Sequence, residues 1–187
     1  MLKLILSVIN GIRTRKTSQK SEPLMELEGL EIHTKSRPLG FDQRKMIRQL
    51  RLHEGERLIV YKCTAGKLTI GVGRNLEDLG ISQDESAMML ANDIERVCKE
   101  LNISLEWYRG LNDVRQRVII DMAFNLGING LLCFKNTLAH IQAERYEEAS
   151  RSMLDSLWAK QVGQRAKRLA NMMKTGKDPK ELWFKGS

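Results

Sequence analysis

Hydrophobic residues recur every three or four positions in several stretches of the chain, which is the spacing of one face of a helix. The first stretch follows Asp42, a residue type that favours a helix N-terminus, and its pattern ends at Gly55. Ser82 and Glu85 form a capping box that opens a second helix through Leu101. These signals predict two helices with a different kind of segment between them.

The chain beyond residue 105 has a helical pattern throughout. Asn112 is predicted to cap a helix that Gly127 ends. Further helices are predicted over 137–143, 147–158 and 164–174, with glycines between them. The C-terminal part therefore predicts a set of packed helices.

The segment between the first two helices has the composition of strands. Residues 58–61 and 68–72 are β-prone runs on either side of a turn at 64–66, which predicts a hairpin. The order of helix, hairpin, long helix and helices predicts an α+β fold in which helices dominate. The long helix from residue 82 is expected to join a small hairpin lobe to a helical lobe.

The N-terminal part lacks this periodicity. Residues 2–12 are mostly apolar but too short to span a bilayer, and no cleavage site of a secretory signal follows them. Residues 13–40 are rich in Lys, Arg, Ser and Thr, as linkers are. We therefore predict a basic leader at 1–41, an organised domain at 42–178 and a short tail at 179–187.

Composition and charge narrow the class of protein. Hydrophobic residues make up 42% and charged residues 29% of the chain, which favours a globular protein over a disordered chain or a membrane bundle. The net charge is +8, and most of the excess lies in residues 1–52. Such an arm either binds a polyanion or is a solvated tail. It lacks interleaved aromatic residues, so specific nucleic-acid binding is disfavoured.

Three cysteines, Cys63, Cys98 and Cys133, are present, and none belongs to a CxxC pair. No metal site is expected from this pattern, and an odd count disfavours a disulfide scaffold. Cys98 and Cys133 fall at apolar helical positions, so packing is the favoured interpretation for both. A disulfide from Cys63 to either of them is the alternative.

Several separated blocks stand in one order over about residues 43–177, and together they carry a family resemblance. The chain resembles the phage-type lysozymes, the muramidases of glycoside hydrolase family 24. The blocks are R-L-H-E-G-E-R-L at 51–58, Y-K-C-T-A-G-K-L-T-I-G-V-G at 61–73, G-L-N-D-V-R at 110–115, M-A-F-N-L-G at 122–127 and S-L-W-A-K-Q-V-G-Q-R-A-K-R at 156–168.

The resemblance implies a two-lobed enzyme without a cofactor, with a β-lobe at about 54–81 and a helical lobe at about 82–178. It implies hydrolysis of the β-1,4 bond between N-acetylmuramic acid and N-acetylglucosamine in bacterial peptidoglycan, in a cleft between the lobes. The family's catalytic spacing is kept by Glu54, Cys63 and Thr69. Glu54 would be the general acid, and Thr69 would hold the attacking water.

Cys63 stands where most members of the family have Asp. A thiolate can replace that carboxylate only if its pKa is lowered, because a free thiol with a pKa of about 8.5 is mostly neutral at pH 7. The neighbouring Lys62 is expected to assist. The alternative is a half-buried hairpin cysteine without chemical use.

The resemblance also assigns supporting residues. Arg165 would reach toward Glu54, unless it belongs to an exposed basic face. Phe124 and Trp158 either contact sugar or belong to the core, and Gly71 either allows close approach of substrate or is a strand bend. The positions implied near the substrate are Phe124, Asn125, Trp158 and Gly71.

The resemblance implies a cellular role as well. An endolysin accumulates as a monomer in the cytoplasm of the host bacterium and reaches the periplasmic wall after a holin permeabilises the membrane, which causes lysis. Two alternatives share the fold, namely a lytic transglycosylase and a catalytically weak wall-binding protein. Intact Glu54 and Thr69 disfavour the wall-binding protein, and the pair of Cys63 and Thr69 favours a water-using hydrolase over the transglycosylase.

Overall fold

The computed structural model describes residues 40–179, and the chain forms two units, Met1–Gly55 and Glu56–Ser187. The predicted leader at 1–41 lies outside the described residues except for its last two positions. The predicted tail at 179–187 lies outside them except for its first position. The predicted division into a β-lobe and a helical lobe at residues 81 and 82 stays a prediction.

The described part of the first unit is one helix, α1 (Gln43–Glu54). The Asp42 side chain accepts a hydrogen bond of 3.1 Å from the backbone N–H of Lys45, which is how an N-cap satisfies a free donor. Gly55 ends the helix with a positive φ of 71°. Both predicted ends of this helix are therefore confirmed.

The second unit begins with a three-stranded antiparallel sheet in the order β1-β2-β3. Its strands are β1 (Arg57–Lys62), β2 (Leu68–Gly71) and β3 (Arg74–Asn75). The predicted hairpin corresponds to β1 and β2 and is confirmed. The third strand was not predicted, because two residues are too short to show the alternation of a strand.

Beyond the sheet, the described residues of this unit are mostly helical. The capping box predicted at Ser82 and Glu85 is present, and Asn112 accepts a hydrogen bond of 3.0 Å from the N–H of Arg115. Both predicted helix starts are therefore confirmed. The elements are α2 (Gln83–Ser104), a short 3-10 helix (Glu106–Gly110), α3 (Asp113–Leu132), α4 (Lys135–Gln142), α5 (Tyr146–Leu154), α6 (Leu157–Val162) and α7 (Gln164–Thr175).

The predicted helix end at Gly127 is confirmed. Gly127 has φ 71° and ψ 161°, which is not a helical conformation, so α3 consists of two helices on either side of a kink at this residue. The second of them ends at Leu132 and packs on the core, because Leu131 is fully buried and Ile128 lies against it. Such packing stabilises a helix that would be too short on its own.

The single helix predicted over 147–158 is wrong, because the chain forms α5 and α6 there. Ser156 separates them. Its hydroxyl donates to the carbonyl of Met153 at 2.7 Å and accepts from the N–H of Ala159 at 3.0 Å. One side chain therefore closes the first helix and caps the second.

The hydrophobic core lies among the helices of this second unit. Each large apolar side chain removed from water stabilises the fold by roughly 1.5–3 kcal/mol. Among residues 40–179 no single helix is long and apolar enough to cross a membrane, although α3 and α4, bent by 104°, reach that length and hydropathy together. The largest fully buried apolar side chains are Leu101, Ile119, Met122, Leu131, Ile141, Met153 and Met173.

Candidate active site

The predicted general acid, Glu54, is the last residue of α1 and is exposed. The following Gly55 donates its N–H to the carbonyl of Arg51 at 3.0 Å, which fixes the end of the helix beside the glutamate. Glu54 belongs to the first unit, whereas Cys63 and Thr69 belong to the second. The catalytic role of Glu54 stays a prediction.

The hairpin brings Cys63 and Thr69 to one backbone group, the carbonyl of Lys67. This carbonyl accepts the N–H of Cys63 at 3.0 Å and the hydroxyl of Thr69 at 3.1 Å. Gly66, with φ 78°, turns the chain between them and donates its N–H to the carbonyl of Cys63 at 2.8 Å. Thr69 is only 3% exposed, so its orientation is set by the turn.

The turn also stabilises the anionic form of the cysteine. Hydrogen bonds from the backbone N–H of Lys67, then from that of Ala65, lower the pKa of the Cys63 thiol, and the Thr69 hydroxyl adds to the effect. Partial desolvation opposes it. Lys62, which we expected to assist, is not among these causes. The groups that lower the pKa of Cys63 are backbone N–H and hydroxyl donors of the turn, which the sequence analysis did not identify.

The three cysteines all lie among the described residues, and all three are free. The alternative of a disulfide from Cys63 is therefore not realised in this structure. Cys98 is half-buried, in keeping with packing. Packing is wrong for Cys133, which is exposed where α3 ends, and its Sγ lies 3.3 Å from the carbonyl of Asn129.

The predicted substrate positions on the helices differ in exposure. Trp158 is 4% exposed, and its Nε1–H donates to Oδ1 of Asn125 at 2.8 Å. Its ring meets Phe134 edge to face, with 6.0 Å between the centroids. Trp158 is thus a core residue with a polar link to Asn125, whereas Phe124 is 43% exposed. Contact with sugar stays a prediction for all three assigned positions.

Arg165 is paired with a carboxylate that the sequence did not indicate. Its Nε lies 2.9 Å and its Nη2 2.8 Å from Oδ1 of Asp121. A groove of about 460 Å³ contains this pair together with Phe124. Aromatic face and ion pair therefore share one surface of α3 and α7. Contact between Arg165 and Glu54 stays a prediction.

Two further features complete the site region. Gly71 has φ 64°, so its backbone conformation favours glycine, and no atom lies within 4 Å of the place of a side chain. This conformation is compatible with both interpretations of Gly71, close approach of substrate and a bend in the strand. Within residues 40–179 no cluster of three or more His, Cys, Asp or Glu side chains could hold a metal ion.

A mostly helical body with a small antiparallel sheet is the α+β architecture of lysozymes, and the hairpin of this chain holds Cys63, whose pKa is lowered, together with the buried Thr69. Residues 51–174 match the family described as Phage lysozyme, and the chain belongs to this family. It is therefore a glycoside hydrolase of the lysozyme type, whose substrate is peptidoglycan.

Three relatives show how far the similarity extends. The chain is 31% identical over 156 residues to "Probable T4-type lysozyme 1" of Dictyostelium discoideum, an alignment that covers 68% of this chain and 92% of that protein. It is 25% identical over 156 residues to "Probable T4-type lysozyme 2" of the same organism, with the same coverage. It is also 27% identical over 160 residues to "Pre-baseplate central spike protein Gp5" of Enterobacteria phage T4, with 70% of this chain and 28% of that protein covered.

Proposed function

We propose that this protein hydrolyses the β-1,4 bond between N-acetylmuramic acid and N-acetylglucosamine in peptidoglycan. The single observation that carries this proposal is the hairpin turn in which the Lys67 carbonyl accepts both the Cys63 N–H and the Thr69 hydroxyl, and the lowered pKa of Cys63 supports it. A free thiol would be mostly neutral at pH 7, whereas hydrolysis requires an anion on one face of the sugar.

Each residue has a separate task in the proposed reaction. Glu54 gives its proton to the glycosidic oxygen of the departing N-acetylglucosamine. The single hydrogen of the Thr69 hydroxyl is shared between the Lys67 carbonyl and the Cys63 sulfur, so the lone pairs of its oxygen remain to accept a hydrogen bond from water. The anionic Cys63 then either takes a proton from that water while the water oxygen bonds to the anomeric carbon, or itself bonds to the anomeric carbon as the glycosidic bond breaks, and water later hydrolyses this intermediate.

The test of the acid uses purified peptidoglycan and compares the wild type with Glu54→Gln. We expect the rate of turbidity loss to fall by at least about 100-fold, because positioned proton transfer contributes that much. Equal rates would contradict the proposal. New reducing ends among the products would identify a hydrolase, whereas anhydro ends would identify a lytic transglycosylase.

The test of the anion uses two substitutions at position 63. Cys63→Asp keeps a negative group and is expected to retain turnover, whereas Cys63→Ala leaves no anion and is expected to lower it. Equal lysis rates for the wild type and Cys63→Ala would rule out a catalytic thiol. Normal wall binding without turnover in the wild type would support the alternative of a wall-binding protein.

We also propose the cellular role of an endolysin that acts as a monomer. In this proposal the protein collects in the cytoplasm of an infected bacterium and reaches the periplasmic wall once a holin opens the membrane. What supports it is the family, since the relatives named above include a phage protein. Expression in bacteria with and without a holin tests it, because lysis is expected only with the holin. Light scattering of the purified protein tests the monomer.

A further inference from the structure

The turn that follows β3 contains a carboxylate, Glu77, which touches neither Cys63 nor Thr69. It accepts a hydrogen bond from the peptide that joins their shared acceptor to β2. Resting on the function proposed above, we propose that Glu77 is a positioning residue. Its carboxylate holds the Lys67–Leu68 peptide so that the Lys67 carbonyl faces the cysteine and the threonine.

The geometry of one peptide bond carries this inference. Oε1 of Glu77 accepts the N–H of Leu68 at 3.0 Å. The carbonyl of that same peptide, on Lys67, accepts the Cys63 N–H at 3.0 Å and the Thr69 hydroxyl at 3.1 Å. A trans peptide is planar, so its N–H and its C=O point in opposite directions. Fixing the N–H from one side therefore aims the carbonyl at the other side.

The sheet itself does not supply this anchor. Leu76 donates its N–H to the carbonyl of Leu68 at 2.8 Å, as the next antiparallel pair would. The carbonyl of Leu76 accepts the N–H of Gly80 at 3.1 Å instead, because the chain turns away after β3. The Glu77 carboxylate takes the place of that ladder carbonyl for the N–H of Leu68.

Asp78, the second carboxylate in the turn that follows β3, offers a matched control. Oδ1 of Asp78 lies 2.6 Å from Nζ of Lys67, and Oδ2 accepts from Nδ2 of Asn75 at 2.8 Å. Both side chains of the Lys67–Asp78 pair are more than a third exposed, and such pairs contribute little to stability. Asp78 thus binds the side chain of Lys67, whereas Glu77 binds its peptide.

The direction in which the pKa of Cys63 changes on removal of Glu77 distinguishes an anchoring role from a purely electrostatic one. If Glu77 acted on Cys63 only through its negative charge, its removal would lower the pKa of the thiol. If Glu77 anchors the turn, its removal loosens the N–H groups of Ala65 and Lys67 that bond to the sulfur, and the pKa rises. Glu77→Gln removes the charge and keeps an acceptor, so an anchor survives that change.

The experiment measures alkylation of Cys63 by iodoacetamide against pH in the full-length protein, resolved by peptide mass spectrometry. The exposed Cys133 in the same molecule is the internal reference. For Glu77→Ala we expect the Cys63 profile to move to higher pH and the rate at pH 7 to fall about tenfold, one pKa unit in thiolate fraction. Glu77→Gln and Asp78→Asn should keep the wild-type profile. An unchanged or lower midpoint in Glu77→Ala would overturn the proposal, and so would an equal rise in Asp78→Asn.

Turnover on peptidoglycan gives the second measurement. We expect Glu77→Ala to lower kcat about tenfold with KM unchanged, and Glu77→Gln to restore it. A thermal unfolding curve that matches the wild type separates positioning from loss of the fold. Wild-type activity in Glu54→Gln would end the proposed function, whereas the alkylation profiles test the anchor without reference to that function.

Discussion

The three-stranded sheet and the helices that follow it belong to one unit but are held together in different ways. All the buried hydrophobic residues among positions 40–179 lie between Val97 and Met173. The sheet buries only Thr69, and its Leu58 and Ile59 are 81% and 82% exposed. Hydrogen bonds within the turn therefore define the geometry of the sheet, while apolar burial stabilises the helices. The hydrophobic core and the pair of Cys63 and Thr69 thus lie in separate parts of the unit.

The largest difference in stability between the sheet and the helices is expected from a cavity in the helical core. Met122→Ala removes a fully buried side chain of α3, and we expect it to lower the free energy of unfolding by about 2–5 kcal/mol. Urea unfolding followed by circular dichroism measures the change. The control is Ile59→Ala in the sheet, which should change it by less than about 0.5 kcal/mol. Similar losses for both variants would show that the sheet also depends on burial.

A smaller effect is expected from backbone strain in the sheet. Gly71→Ala forces a side chain onto a residue with φ 64°, which costs about 1–2 kcal/mol although nothing crowds the new methyl group. Because the strain lies two residues from Thr69, we expect peptidoglycan turnover to fall while the thermal midpoint moves by only a few degrees. Gly40→Ala is the control, since Gly40 has no positive φ and also has open space. Full activity in Gly71→Ala would contradict the prediction.

The smallest effect is expected from loss of the hydrogen bond between Trp158 and Asn125. Trp158→Phe keeps most of the buried ring but deletes the Nε1–H that bonds to Asn125, so we expect a loss of about 1 kcal/mol in the free energy of unfolding. Asn125→Ala and the double variant complete a cycle of four proteins. A coupling energy near zero between the two positions would show that the hydrogen bond does not stabilise the fold.

The elements that could be predicted from the sequence are those with local signals. Asp42, Ser82 and Asn112 cap helices through bonds to residues three positions on, so residue type and spacing suffice. The split between α5 and α6 depends on the hydrogen bond from the Ser156 hydroxyl to the Met153 carbonyl. A continuous helix would have a similar hydrophobic pattern, so the sequence does not distinguish the two. The helix end at Gly127 could be recognised from the glycine itself, whereas the short helix that follows it up to Leu132 depends on tertiary burial.

The candidate site divides in the same way. The resemblance to phage-type lysozymes implied that Cys63 and Thr69 belong together, and the hairpin places both on one carbonyl. That carbonyl belongs to Lys67, and a backbone acceptor leaves no signature in residue type. The pairing of Arg165 with Asp121 joins residues 44 positions apart and could not be inferred from either neighbourhood.

The two ends of the helical segment meet, and this has a consequence for how the segment can be combined with other proteins. Nδ2 of Asn112, at the start of α3, donates to the carbonyl of Gly176 at 3.1 Å, and Arg115 reaches the carbonyl of Met173 at 2.8 Å. A stretch whose first and last residues touch needs little extra room when it is spliced into a longer polypeptide.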